Sequence, residues 1–395
     1  MEILNLEAFE ELVSETLSEE KEEIITSINT ETEYPHILFK KTDLLKMLQL
    51  SVPIINFKSS NIVSKAITIK KDTDYKFIVN NDIEYIDYTF EVLNSDNRIE
   101  EPICIPITTI QSILKLMDNF ILIYKKDNSF FIRLLLEGDL YLEVGSPMPY
   151  MLERFTSIDN LIKADETNYI VNGDHLNKAL RAEIPLLSEE LMLEKKRLNL
   201  LKDRIYFNTN KLMIQYRLGL PSMRLSERMC NIIRRLTDQF PKESVRFFTD
   251  KKNESRIVIL CNNVYISGTF SRVYKDERIL RELDSASNNK KISFELNKLV
   301  NIINAVNSLT YTDGKVGFSL DTDLKITINT KNRMTSFKIP VTNFTNSTFK
   351  DTIWVSGTKL KKILDTMNRK DVVSFTIEKD KLIFNYYNIT AILEV

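Results

Sequence analysis

Lysines and arginines recur along one side of short amphipathic segments, and their spacing points to phosphate chemistry rather than to bond breaking. In Thr358–Arg369 the apolar residues Leu360, Ile363, Leu364 and Met367 share one helical face, leaving Lys359, Lys361, Lys362 and Arg369 for solvent. In Ser226–Gln239 the apolar set is Met229, Ile232, Ile233 and Leu236, opposite Arg228, Arg234 and Arg235. Leu176 and Leu180 leave Lys178 and Arg181 outward. Lys46, Lys115 and Lys298 hold similar polar positions on three further segments. Cations on a smooth helical wall neutralise phosphates without reading bases. The plain alternative is a set of ordinary solvated helix faces.

Signs of catalysis are absent. The chain has no GxxxxGK followed by Ser or Thr, no GxSxG and no HExxH. His36 and His175 stand alone, outside any run of possible ligands. Asp321-Thr322-Asp323 could suggest a metal pair or a nuclease carboxylate set, but it falls between two expected strands, where these are normal turn residues. No metal, cofactor or enzymatic activity is expected. Cys104, Cys230 and Cys261 are far apart with no CxxC, which fits free thiols in a reducing cytoplasm. No apolar run is long enough to span a bilayer, and the N-terminus has no signal-peptide pattern.

The elements that must position the cations repeat. With 395 residues, 43% hydrophobic and 28% charged, the chain can build two to four domains. A helix leading into two to four alternating strands recurs about six times, with starts near Phe39, Ile105, Ile170, Met223, Ile292 and Ile353. The expected helices are one capped by Thr42 and ending near Pro53, then Thr108–Asn119, Asp174–Ile184, Ser226–Gln239, Leu296–Leu309 and Thr358–Arg369. Ser146–Asn160 and Leu283–Lys290 read as linkers, and Ser188–Lys202 as an inserted helix or long loop. The fold class is α+β, with paired units forming three similar domains at 34–155, 156–280 and 281–395. Each would hold two helices and two small antiparallel sheets. Residues 1–33 read as an acidic, helical extension. Residues 1–35 hold eleven glutamates against one lysine, a charge of −10. The chain as a whole carries −1, so the body carries +9. A basic body suits a nucleic-acid partner.

With these units in order, residues 36–395 resemble the bacterial-type DNA polymerase sliding clamp, the β subunit that confers processivity. "HILFKKTDLLKMLQLSVPI" (36–54), "NYIVNGDHLNKAL" (168–180) and "KISFELNKLVNIINAV" (291–306) resemble the strand-then-helix openings of the three clamp domains, and "ITAILEV" resembles the closing strand. The family's linkers often carry Phe-Pro and then an acidic or amide residue. The counterparts here are Phe155-Thr156-Ser157 and Tyr274-Lys275-Asp276, without the proline.

The resemblance implies a head-to-tail homodimer ring whose helices line the hole. Its partners would be double-stranded DNA bound independently of sequence, a DNA polymerase and a clamp loader. The cations named above would face the DNA. The resemblance also implies an apolar cleft for partner peptides, carried over to Leu186, Leu187, Leu220, Ile279, Leu280, Ala391, Leu393 and Val395. The abundance of Lys, Asn and Ile fits an AT-rich, phage-type genome. The competing reading is a clamp-like interaction or transcription subunit that does not close on DNA.

Overall fold

A short apolar strand whose last residue doubles as a helix cap is the local motif from which the molecule is built. The computed structural model describes residues 34–55, 63–81, 83–94, 98–116, 119–127, 129–134, 140–144, 169–187, 196–209, 212–249, 256–273, 276–288, 292–309, 314–320, 323–330, 333–341, 349–365, 367, 372–378 and 380–394. Over them one unit recurs six times: a strand, a helix and three further strands.

The first unit is β1 (His36–Lys40), α1 (Lys41–Ser51), β2 (Ala66–Lys71), β3 (Tyr75–Asn80) and β4 (Tyr85–Thr89). The second is β5 (Ile103–Pro106), α2 (Ile107–Ile113), β6 (Phe120–Lys126), β7 (Ser129–Leu134) and β8 (Leu140–Val144). The third is β9 (Tyr169–Asn172), α3 (Gly173–Leu187), β10 (Arg197–Leu200), β11 (Ile205–Asn208) and β12 (Leu212–Tyr216). The fourth is β13 (Met223–Ser226), α4 (Glu227–Gln239), β14 (Ser244–Thr249), β15 (Arg256–Cys261) and β16 (Val264–Thr269). A separate helix, α5 (Glu277–Asn288), follows. The fifth unit is β17 (Ile292–Glu295), α6 (Leu296–Leu309), β18 (Lys315–Leu320), β19 (Leu324–Thr330) and β20 (Arg333–Ile339). The sixth is β21 (Phe349–Ser356), α7 (Gly357–Leu364), β22 (Val372–Glu378), β23 (Lys381–Tyr386) and β24 (Ile389–Glu394).

Side chains at the strand ends start several helices. Ser226 Oγ accepts the Met229 amide at 3.2 Å, and Ser356 Oγ accepts the Lys359 amide at 3.3 Å. Asn172 Oδ1 accepts the amides of Asp174 and His175. At α1 the cap is Lys40, with no side-chain bond, so Thr42 does not cap that helix as expected.

The first strand of each unit does not pair within its own unit. It pairs with the second strand of the neighbouring unit: β1 with β6, β5 with β2, β9 with β14, β13 with β10, β17 with β22 and β21 with β18. Units therefore come in reciprocally exchanged pairs. Where pairs meet, fourth strands join antiparallel. β4 joins β16 with Val264 opposite Tyr88, and β12 joins β24 with Leu212 opposite Leu393.

The two seams end alike. The Thr89 amide donates to the Asn263 carbonyl, and the Arg217 amide to the Asn388 carbonyl, both at 3.0 Å. Each carbonyl belongs to a tight turn with a positive φ at the preceding residue, Asn262 or Tyr387. The seams also decide compactness. Met1–Thr167 with Phe248–Thr269 forms one compact unit, and Asn168–Phe247 with Phe270–Val395 a second. In the second, Phe375 meets Phe294, Phe318 and Phe384 at centroid distances of 5.9, 5.6 and 5.0 Å, and all four rings are buried.

Several expectations need correction. Residues 197–200 of the supposed insertion are β10, the strand that receives β13. Its single Arg-Leu-Asn-Leu alternation is too short to show a period. The supposed linker at 283–290 is mostly α5, capped by Asp276, whose Oδ1 accepts the Arg278 and Ile279 amides. The helix expected to reach Arg369 ends at Leu364, where the Asp365 amide bonds the Lys361 carbonyl. Beyond Ile113 the second helix tightens to a single 3₁₀ turn, Leu114–Leu116. The 1–33 extension and the whole of the expected linker Ser146–Asn160, with its motif Phe155-Thr156-Ser157, lie outside the described residues.

Phe375→Ala removes the ring that touches three others, so it should cost about 3–5 kcal/mol. Urea unfolding followed by circular dichroism should show the midpoint fall with little change in slope.

Candidate functional site

The cationic faces are set by what the opposite faces bury. On α4 the buried residues are Met229, Cys230, Ile232, Ile233, Leu236 and Thr237. That leaves Arg228 exposed and Arg234 and Arg235 half-buried. On α7 Leu360, Ile363 and Leu364 are buried, with Lys359, Lys361 and Lys362 partly exposed. Lys115 lies exposed in the 3₁₀ turn. Arg369 lies outside the described residues.

The remaining cations have acidic neighbours. Lys178 meets Asp174 at 2.7 Å on α3, Lys46 meets Asp43 at 3.5 Å on α1, and Lys298 meets Glu295 at 3.1 Å. Arg181 reaches from α3 to Asp238 on α4 at 2.6 Å. Except for Lys46, whose partner Asp43 is buried and also takes the Tyr88 hydroxyl, these are solvent-accessible pairs worth about 0.2–1 kcal/mol each. Exchanging the carboxylate for a phosphate is therefore cheap. The pairs hold the side chains in place without locking them away.

A polar link fixes the spacing of α3 and α4. The buried Asn177 amide donates to Thr237 Oγ1 at 2.9 Å and to Asp238 Oδ1 at 2.7 Å. Asp238 thus receives Asn177 and Arg181 together, aligning a cation of α3 with the arginine face of α4. Sequence periodicity could not show this, because it depends on which residues of two distant segments come opposite.

The same interface holds Glu183, fully buried, with neither carboxylate oxygen given a partner. Burial alone holds its carboxyl well above the usual carboxylate range, and its neighbour Cys230 is pushed up as well, chiefly by burial. Cys104 and Cys261 are buried thiols as well.

The proposed cleft residues divide sharply. Leu186 and Leu187 form the last turn of α3, and Leu220, Ala391 and Leu393 are equally buried. All five are at most 1% exposed. Val395 lies outside the described residues. Ile279 and Leu280 are only partly buried. They lie with Val273 against Leu201, Tyr206, Met213, Leu283, Ala286, Ile383 and Ile392. Among the described residues the accessible apolar surface in this region therefore comes from α5 and the segment before it, not from Ala391 or Leu393. α5 is tied down by polar contacts: Arg204 Nη1 to Asp284 Oδ1 at 2.7 Å, Gln215 Nε2 to the Leu283 carbonyl, Asn385 Nδ2 to the Ala286 carbonyl, and Lys381 to Glu282.

His36 is a strand residue whose Nδ1 lies 3.0 Å from the Tyr34 carbonyl. No three His, Cys, Asp or Glu side chains gather as a metal site among the described residues. Asp321 lies outside them. No described helix is long and apolar enough to cross a membrane.

Comparison with solved structures identifies the architecture. A putative DNA polymerase III β subunit from Eubacterium rectale superposes with a TM-score of 0.72 at 10% identity, covering 91% of this chain and 98% of that one. The sliding clamp (DNA polymerase III subunit β) of Pseudomonas aeruginosa, solved with griselimycin, gives 0.72 at 11% identity, with 91% and 99% covered. The Caulobacter crescentus DNA polymerase sliding clamp gives 0.72 at 10%, with 91% and 99% covered. The chain has the sliding-clamp fold. No family model matches its sequence, and no curated protein does.

The Glu183 carboxyl gives a signed prediction. The unfolded chain loses this proton near pH 4.3, whereas the folded chain keeps it to higher pH. Above the unfolded pKa the native state binds more protons, so this group's contribution is complete below that pH and is lost as pH rises. Glu183→Leu should raise the melting temperature at pH 7.5 and flatten its decline from pH 5 upward. Melting curves across that range that superpose for variant and parent would refute the assignment.

Proposed function

We propose that this chain is a DNA polymerase processivity clamp: a non-enzymatic ring that encircles duplex DNA without reading sequence and tethers a polymerase. The observation that carries this reading is the rule of fourth strands within the clamp fold. β4 takes β16 and β12 takes β24, while β8 and β20 end their sheets, paired with β7 and β19 alone among the described residues. One member of each joined pair closes an odd-numbered unit and the other an even-numbered one. β20 and β8 are the remaining two of that kind. A second copy placed head to tail satisfies both, with β8 of one copy beside β20 of the other. Such a heterologous contact closes when the rotation returns on itself. Along β20, Met334, Thr335, Ser336 and Lys338 are exposed, as an unpaired edge requires.

Each copy then comprises three domains, at about 34–155, 156–280 and 281–395, each an exchanged pair of units. The cations of α1, α3, α4, α6 and α7, with Lys115, form the DNA-facing set. A sliding contact has to be weak and uniform, and exposed cations already shared with carboxylates suit that need. The half-buried apolar residues of α5 are the surface offered to partner peptides, which would include those of the polymerase and a clamp loader. A cytoplasmic setting follows from that role.

Two experiments test this reading. Loaded protein should stay on nicked circular DNA through gel filtration and run off the same DNA once linearised. Equal loss from both forms would exclude a closed ring. Sedimentation should give a dimer at micromolar concentration, and Met334→Lys on β20 should shift it toward monomer. Separately, Arg228→Ala with Lys359→Ala should lower the salt slope of DNA binding by about one per cation, with little dependence on sequence.

A further inference from the structure

One seam ends on an aromatic ring held where the backbone disfavours it. The two seams close on matched two-residue turns, Asn262-Asn263 between β15 and β16 and Tyr387-Asn388 between β23 and β24. The first residue of each turn has a positive φ, 53° at Asn262 and 46° at Tyr387. Asparagine reaches that region at little cost, whereas a bulky side chain there is strained. Burial does not offset the strain, because Tyr387 is 85% exposed. Its ring meets that of Tyr386 edge to face, at a centroid distance of 4.7 Å. A strained backbone that carries an exposed ring marks a place where the ring itself is used.

The turn is firmly placed beside the cations of α3. Tyr386 lies opposite Ile389, and Ile389 lies opposite Tyr216 on β12. The Asn388 carbonyl accepts the Arg217 amide at 3.0 Å, and the Asn388 side chain hydrogen-bonds the Tyr216 hydroxyl. That hydroxyl is within electrostatic range of Lys178 and Asp174 in the first turns of α3. Lys178 and Arg217 are both exposed. An exposed ring, a second ring at its edge and two cations around one turn supply what an unpaired nucleobase needs. The ring offers a face for the base, and the cations offer charge for the flanking phosphates.

We propose that Tyr387 is a stacking platform for an unpaired nucleobase of single-stranded DNA, with Arg217 and Lys178 holding the phosphates that flank it. A single strand is favoured over a duplex because a paired base keeps both of its faces inside its own stack. It is favoured over a protein partner because the exposed residues that flank the ring, Asn388 and Arg217, are polar. The site goes beyond the duplex-encircling role proposed above, since it takes a strand that has left the duplex. It rests on that reading for nucleic acid as the partner, but not on ring closure.

A fluorescein-labelled oligothymidine of about twelve nucleotides and a duplex of equal length are the probes, bound to the full-length protein at low salt and read by anisotropy. Tyr387→Asn places the residue of the matching turn at this position. It should weaken single-strand binding at least about fivefold, as expected when one stacked base is lost. It should also raise the melting temperature, because the strain leaves with the ring. Tyr387→Phe should bind the single strand as the parent does. Duplex DNA, and an abasic strand of the same length, should bind the parent and Tyr387→Asn alike. Tyr387→Gly is the second variant should Tyr387→Asn not fold. Equal single-strand affinity in parent and Tyr387→Asn would overturn the proposal and leave the ring to a protein contact. So would a loss of the same size on the duplex or the abasic strand, or a lower melting temperature in Tyr387→Asn. Retention on circular DNA, measured in parallel, should be the same in Tyr387→Asn and parent. If neither is retained while the single-strand difference persists, the ring reading fails and this site stands.

Discussion

Each repeating unit is incomplete, because its first strand completes the sheet of its neighbour. Backbone N–H and C=O groups that leave water must find partners. A unit whose opening strand has been given away exposes the second strand of its own sheet until its neighbour's opening strand arrives. The reciprocal pairings β1 with β6 and β5 with β2, then β13 with β10 and β9 with β14, make two units the smallest set in which every opening strand is paired. The same need for partners at the fourth strands then joins the pairs, through seams that end in matched turns at Asn263 and Asn388. Few other interactions had to be specified for the rest of the architecture to follow.

Fixed in this way, the helices have one face committed to packing, and the sequence is free on the other. That freedom explains why 10–11% identity leaves the fold intact. Many combinations of Leu, Ile, Met and Cys fill a helix–sheet interface of the right volume, while strand exchange is set by backbone. What the chain keeps on the outer helix faces is charge with modest commitments, such as Lys178 beside Asp174 or Arg181 beside Asp238. The strongly held polar groups lie elsewhere. Asn177 between α3 and α4, and Arg204 with Asp284 under α5, are residues whose partners are far away in the chain.

Much of the repeat was legible because apolar alternation changes to helical spacing at the same place in each unit. All six starting points fall inside first strands, and the helix expected over Leu296–Leu309 matches from end to end. Two elements were missed for different reasons. β10 is four residues long and follows a charged, Leu-rich stretch, so no period emerges. α5 did carry a signal: Asp276 as cap, Glu277 in the first turn and apolar residues at 279, 280, 283 and 286. Its Ser- and Asn-rich end hid it. The candidate cations on the helices could be named from spacing alone. The bond from Asn177 to Asp238 could not, since nothing in a sequence says that α3 and α4 lie side by side. Burial of Leu186, Leu187, Leu220, Ala391 and Leu393 shows a related limit, because apolar residues near a chain end or loop look alike whether they line a groove or fill a core.

The polar anchoring of α5 has a mechanical consequence. Its Asp284 holds Arg204 at the start of β11, and its Glu282 holds Lys381 at the start of β23. These two strands lie on opposite sides of the β12–β24 seam. The helix is thus a splint across that joint, resisting both shear and hinge bending of the sheet. In any assembly of such chains, strain would concentrate at joints without a splint, and those are where the assembly would part first.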